Sequence, residues 1–134
     1  MGTRSITHIY DTSRPEEPLL TFYRQHDGDL EGHGRDLAKI LAGGKVVNGY
    51  SLDGSKEFNG PGCLAAQVIA GLKDGVGGVY IEPPGSHDMG EEYTYFVYVT
   101  PAPEGKINIE VYDDDSVVFR GVPTTLAADL KERA

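Results

Sequence analysis

The amino-acid sequence predicts a single α+β domain over residues 1–134, with a mostly antiparallel sheet of five or six strands and two or three helices. Short runs of β-branched and aromatic residues recur along the chain and are bounded by Asp, Gly and Pro, which is typical of strands joined by turns. Apolar residues at helical spacing form separate segments between these runs. The 134 residues are enough to bury one hydrophobic core.

The N-terminal part predicts a β-hairpin followed by a helix. Residues 5–10 and 19–24 are rich in β-branched and aromatic types, and the loop between them contains two prolines and three acids. Residues 35–42 carry apolar side chains at helical spacing, and the glycine pair 43–44 ends that helix.

The middle of the chain predicts a long loop and a buried helix. Residues 44–60 hold glycines and no clear period, with a short extended piece at 46–47. Loops of this length are uncommon unless they are functional. Residues 62–73 are apolar on most sides, with Asn59 as the expected N-cap and Pro61 in the first turn.

The C-terminal part predicts strands and a final helix. Residues 79–82 form a short strand, and residues 92–99 are aromatic or β-branched on both faces, which predicts a central strand covered on both sides. Residues 106–112 alternate between apolar and polar, as a half-exposed strand does. A turn of three aspartates leads to the strand 116–120, and Pro123 opens the last helix.

Composition excludes several classes of protein. The net charge is −9, from 21 acids and 12 bases, which argues against a nonspecific nucleic-acid binder. One cysteine excludes an intramolecular disulfide framework and a multi-cysteine zinc site. No apolar run approaches the roughly 18 residues of a membrane span, so no membrane partner is expected. The N-terminus lacks a signal-like apolar region, so a cytoplasmic location is expected.

The densest polar run lies at the end of the second strand, where cationic, amide, imidazole and carboxylate side chains occur together. Fifteen of the 18 glycines fall between residues 28 and 90, and glycine lets a ligand approach the backbone. A second polar set surrounds the start of the second helix. The residues expected to bind a ligand are Arg4, Tyr23, Arg24, Gln25, Asp27, Gly28, His33, Asn59, Cys63 and Gln67.

Catalytic and metal chemistry have weaker support in the sequence. Cys63 falls in the first turn of a helix, where the helix dipole lowers a thiol pKa, and His26 or His33 could serve as its base. The alternative is a buried structural cysteine. His26, Asp27 and His33 match no strong metal-binding spacing, so neither a metal nor another cofactor is expected.

Several segments together resemble a group of short, mostly uncharacterised proteins of phages and bacteria. Members of that group begin with MGTRS, continue with YRQ, an aromatic residue and DGYPSGHG, and later carry NGxGCLAAQ. The matching segments here are residues 1–7, 23–28, 32–34 and 59–67. The chain departs from the pattern at His26, where an aromatic residue is usual, and at residues 29–31. The resemblance implies interference with host processes and no established activity.

We therefore expect a non-enzymatic protein that binds a small anionic, nucleotide-like ligand, which in a phage protein would be a sequestered host signal in the host cytoplasm. Two alternatives stay open. One is an acidic inhibitor of a host defence enzyme that acts through the C-terminal third, where ten of the acids lie. The other is a small hydrolase that uses Cys63. Exposed sheet edges favour a homo-oligomer.

Overall fold

The computed structural model of the chain describes residues 2–51 and 53–133; Met1, Ala134 and Leu52, which belongs to the predicted loop, lie outside the described residues. Eight strands and three α-helices occur within these ranges. The strands are β1 (Ser5–Asp11), β2 (Leu20–Arg24), β3 (Lys45–Val47), β4 (Glu57–Asn59), β5 (Val79–Glu82), β6 (Tyr93–Val99), β7 (Ile107–Asp113) and β8 (Ser116–Gly121). The helices are α1 (Arg35–Leu41), α2 (Gly60–Leu72) and α3 (Pro123–Arg133).

Six strands form the main sheet in the order β5-β2-β1-β6-β7-β8. The hairpins β1–β2, β6–β7 and β7–β8 are antiparallel, as is the pair β2–β5, whereas β1 and β6 run parallel at the centre. The structure therefore confirms the predicted fold class, an α+β domain with a mostly antiparallel sheet.

The hydrophobic core lies between one face of this sheet and the three helices. We call that face the inner face and the opposite one the outer face. Because side chains alternate along a strand, Ile9 of β1 and Val97 of β6, which are register partners, both point inward and are fully buried. The helices supply the other side of the core through Leu37, Leu64 and Leu126, which are also fully buried.

The predicted loop 44–60 contains a second, smaller sheet. Strands β3 and β4 pair in parallel, with Val46 opposite Phe58, and both of these side chains are buried in the core. The prediction of a loop over the whole segment is wrong at β4. Its three residues are too few to show a period, and their partner is more than ten residues away, so only tertiary packing reveals this strand.

The prediction that β6 is covered on both faces is also wrong. Tyr95, Val97 and Val99 are buried on the inner face, but the intervening Phe96 and Tyr98 are half-buried on the outer face. The three helices bury their apolar side chains on the inner face, so the aromatic side chains of the outer face stay partly accessible. None of the helices within the described ranges is long and apolar enough to cross a membrane.

A one-turn π-helix (Leu30–Gly34) connects β2 to α1 and rests on a close contact between two backbone segments. Gly28 lies directly against β1, and its N–H donates to the Thr3 carbonyl over 2.9 Å. A Cβ at Gly28 would stand 2.8 Å from the backbone carbon of Arg4 and from the Ser5 Cβ. Only glycine therefore fits at this position.

We expect Gly28→Ala to lower the free energy of unfolding by about 1–3 kcal/mol, because the added methyl meets backbone that cannot move without disturbing β1. Gly62→Ala is the matched control, since a Cβ there meets nothing within 4 Å and the position lies in α2. Urea unfolding followed by circular dichroism measures both variants. An equal or higher stability of Gly28→Ala would contradict the contact.

Candidate functional site

The ten residues predicted to bind a ligand fall into two groups on different elements. Seven of them lie just before β1, on β2 and in the segment that runs from β2 through the π-helix, and three lie at the end of β4 and in α2. Arg24 lines a cavity with Leu72, at the C-terminal end of α2. Cys63 precedes Leu72 by nine residues in α2, which corresponds to about 14 Å along the helix axis. Arg24 and Cys63 therefore lie near opposite ends of α2.

The first group is further divided between the two faces of the sheet. Tyr23 pairs with Ile6 and faces outward, whereas its neighbour Arg24 faces inward. The side chains of Gln25 and Asp27 are exposed, and Arg4 is half-buried. Backbone groups of this segment form hydrogen bonds within the protein. The His33 N–H, for example, donates to the Asp27 carbonyl over 2.7 Å.

In the second group, Asn59 fixes a loop. Asn59 stands at the start of α2 as predicted, but its side chain does not cap the helix. Its Oδ1 instead accepts a hydrogen bond from the Gly49 N–H over 2.8 Å and thereby holds the loop between β3 and β4. Cys63 is half-buried and Gln67 is exposed. Ligand binding by these residues stays a prediction.

His33 is the centre of a polar cluster that also contains Thr7, Arg24 and the partly exposed Asp36, which we call the His33 cluster. The imidazole is fully buried. Arg24 Nη1 lies 3.1 Å from Nδ1 of His33 and donates to Asp36 Oδ2 over 2.8 Å. On the other side of the ring, Nε2 lies 2.8 Å from Thr7 Oγ1. Three elements, β1, β2 and α1, thus meet at one ring.

The partners of the His33 ring determine its protonation state. A guanidinium only donates hydrogen bonds, so Nδ1 accepts from Arg24 and Nε2 carries the proton that it donates to Thr7. Burial, and next the nearby charge of Arg24, lower the pKa of His33 from 6.5 to about 3. His33 is therefore a neutral imidazole with both nitrogens occupied, and it is not available as the base for Cys63.

An open cavity of about 280 Å³ borders the His33 cluster on the helix side. Arg24 and Lys39 line it together with Asp36, and apolar side chains of α1 and α2 complete its wall. Arg24 is 16% exposed and already pairs with Asp36. The cavity therefore presents two cationic side chains, one of which is partly neutralised.

The outer face carries a cluster of aromatic side chains that we call the aromatic platform, formed by Tyr10, Phe96, Tyr98 and Tyr112. The rings of Phe96 and Tyr98 are 6.3 Å apart and only 7° from parallel, and Tyr10 stacks beside Tyr98 at 5.4 Å. Tyr112 meets Phe96 edge to face at 5.7 Å. All four side chains are half-buried, so parts of the rings remain exposed to solvent.

Carboxylates border the aromatic platform at the β7–β8 side. A shallow groove of about 330 Å³ is lined by Phe96, Tyr98 and Tyr112 and by the acids Glu110, Asp114 and Asp115. Burial, followed by the charge of Glu110, raises the pKa of the Tyr98 hydroxyl. The Tyr98 phenol is therefore neutral at physiological pH.

Arg120 is the cation at the rim of this groove. Its Nε lies 3.3 Å from Glu110 Oε2, and its Nη2 donates to the Tyr112 hydroxyl over 3.5 Å. Because Arg120 is already paired, the groove keeps a negative potential from Asp114 and Asp115.

The loop between β5 and β6 closes the other end of the platform. Its Gly85 N–H donates to Thr21 Oγ1 over 2.9 Å, and Thr21 in turn hydrogen-bonds to His8 Nδ1. The His8 ring stacks on Phe96 at 5.4 Å. Burial lowers the pKa of His8, and this effect exceeds the opposing influence of Glu91.

The residues of this platform were not among those predicted to bind a ligand, although the alternation of residues along β6 and β7 indicates it. Alternate residues of β6 are Phe96 and Tyr98, and the alternating pattern of β7 places Tyr112 on its polar face. Assigning those positions to an uncovered face, rather than to a second buried one, would have placed the aromatic residues at the surface.

Comparisons with known proteins give no assignment, since no protein-family profile, curated protein or solved structure matches the chain significantly. In the part of the chain that the structure describes, no group of three or more His, Cys, Asp or Glu side chains is arranged to hold a metal ion. Function is therefore inferred from the geometry of the His33 cluster with its cavity and of the aromatic platform.

The lowered pKa of His33 predicts a loss of stability in acid. The pKa is about 3 in the folded protein against 6.5 ordinarily, so the unfolded chain binds the proton more readily. The contribution of His33 is complete above pH 6.5, and it decreases as pH falls from 6.5 towards 3, by up to about 1.4 kcal/mol per pH unit.

Urea unfolding at several pH values, on the natural protein and on His33→Gln, measures this contribution. The variant loses stability at neutral pH, and its stability changes less with pH below 6.5 than that of the natural protein. Parallel pH profiles for the two proteins would show that His33 does not titrate as described.

Proposed function

We propose that this is a non-enzymatic binding protein whose ligand stacks on the aromatic platform. The observation that carries the proposal is the near-parallel, half-buried pair Phe96 and Tyr98 on a face where the helices do not pack. Proteins that bind bases on a sheet use aromatic side chains on adjacent strands in this way, and each stacked base contributes about 1–3 kcal/mol.

The proposed ligand presents a planar group that stacks on these rings, either a nucleobase or a guanidinium. The nucleobase keeps the base part of the nucleotide-like ligand expected from the sequence and assigns it to a different face. If the resemblance to phage proteins reflects kinship, sequestration of such a host molecule in the host cytoplasm is the corresponding role.

Binding is favoured over catalysis by the state of the residues that could act as nucleophile and base. Both ring nitrogens of His33 are used by Thr7 and Arg24, so His33 does not activate Cys63. His26, the other base expected from the sequence, lies just past the end of β2 with an exposed side chain. A hydrolase would need a base beside its nucleophile.

An anion site beside the His33 cluster is a second candidate. Arg24 and Lys39 line the cavity of about 280 Å³ near the C-terminal end of α2. Arg24 is one of the residues predicted to bind a ligand. The two cationic side chains of this cavity could pair with the anionic part of the expected ligand. Self-association through the edge strands β5 and β8 also stays a proposal.

Replacing a platform ring by an aliphatic side chain tests the first proposal. We expect adenosine to shift the amide resonances of β6 and β7, and Phe96→Leu or Tyr98→Leu to weaken its binding about fivefold or more, because stacking is lost while apolar volume is kept. NMR titration measures the dissociation constants. Tyr50→Leu is the matched control, since Tyr50 is 73% exposed in the loop between β3 and β4. Equal weakening by the control, or shifts confined to other elements, would contradict the proposal.

A charge substitution tests the anion site. Inorganic phosphate is expected to shift the amides around Lys39 and Leu72, and Lys39→Gln is expected to weaken this binding severalfold, because one of two cations is lost. Lys131→Gln on α3 removes an equal charge elsewhere and serves as the control. The site is rejected if both variants behave like the natural protein in the NMR titration.

A further inference from the structure

We propose that the natural occupant of the aromatic platform is an arginine-bearing basic segment of a partner protein. This inference rests on the proposed function, because it uses the same face. It specifies the chemistry of the occupant: a planar guanidinium that stacks on Phe96 and Tyr98 while its N–H groups reach the carboxylates of Asp114 and Asp115.

Charge complementarity is the first argument for a cationic occupant. The groove of about 330 Å³ combines aromatic ring faces with Glu110, Asp114 and Asp115. The face of an aromatic ring carries negative potential, so rings and carboxylates attract the same kind of group. A phosphate placed there would meet repulsion from the carboxylates.

The protein's own Arg120 shows how such a group is held. Its guanidinium contacts both a carboxylate, Glu110 at 3.3 Å, and the hydroxyl of a platform tyrosine, Tyr112 at 3.5 Å. Arg120 occupies the rim, and its side chain is 62% exposed. A second guanidinium further along the groove would find the ring faces of Phe96 and Tyr98 and the free carboxylates at the β7–β8 turn.

The shape of the platform favours a chain segment over a small molecule. The aromatic side chains come from three neighbouring strands, β1, β6 and β7, which together span about 10 Å at the usual strand spacing. The groove is shallow, whereas small-molecule pockets usually enclose most of their ligand. An extended segment with cationic side chains can cover the rings and also reach the turn aspartates.

Arginine is favoured over lysine for a geometric reason. A guanidinium is planar and weakly hydrated, so it stacks on an aromatic ring and still donates paired hydrogen bonds to a carboxylate. An ammonium group is compact and strongly hydrated and has no plane to stack. The platform therefore distinguishes two peptides of identical charge.

Three probes test this inference: the peptide (Arg-Gly)4, the matched peptide (Lys-Gly)4 and the uncharged nucleoside adenosine. We expect (Arg-Gly)4 to shift the amides of β6, β7 and the β7–β8 turn in an NMR titration. It should bind about fivefold more tightly than (Lys-Gly)4. Tyr98→Leu should weaken the arginine peptide about fivefold and leave the lysine peptide nearly unchanged.

Charge variants separate the carboxylates of the groove from the general acidity of the protein. The double variant Asp114→Asn and Asp115→Asn is expected to weaken (Arg-Gly)4 severalfold and to reduce the dependence of its affinity on salt. The double variant Asp74→Asn and Glu104→Gln is the matched control, because it removes two exposed carboxylates outside the groove.

The outcomes distinguish this inference from the proposed function. Equal affinity of the two peptides, or equal weakening by the two double variants, would mean that charge alone is recognised, and the inference would be overturned. Adenosine binding at the platform without (Arg-Gly)4 binding would overturn the inference and leave the proposed function standing. If neither adenosine nor the arginine peptide shifts the platform amides, both proposals fail.

Discussion

The His33 ring joins strands β1 and β2 to helix α1, and the arrangement of the rest of the molecule depends on that junction. Thr7 and Arg24 come from the first hairpin, and Asp36 comes from α1. A buried polar group is costly unless it is hydrogen-bonded, so the junction tolerates only one arrangement of its partners. It directs α1 onto the inner face, where the other helices also pack, and the outer face is left for other contacts.

Local pattern was enough to predict most strands and all three α-helices, because their apolar periods and turn residues lie within the segments themselves. Tertiary packing decided the rest. β4 has three residues and pairs with β3 across a loop, and the parallel pairing of β1 with β6 joins segments far apart in the chain. The sequence showed that residues 92–99 are aromatic or β-branched on both faces. Whether a helix covers those positions depends on the whole fold.

For the candidate site, too, the sequence alone was compatible with two interpretations. Residues 23–28 and 32–34 combine polar side chains with glycine, a composition that suits both a ligand site and a tight structural junction. In the structure Gly28 packs against β1 and His33 is fully buried, so these two residues contribute to the fold. The accessible aromatic side chains lie on the opposite face, beside the acids of the β7–β8 turn. The polar junction and the proposed binding face are therefore two different parts of the domain.

We conclude that the polar motif around His33 supports the fold, and we propose that binding occurs elsewhere. The ¹⁵N chemical shifts of the His33 ring in labelled protein at pH 5 test it most directly. We expect a neutral ring with the proton on Nε2, since burial and Arg24 hold the pKa of His33 at about 3. A positively charged His33 ring at pH 5 would contradict the claim. Such a ring would be open to solvent and available to a ligand or a substrate.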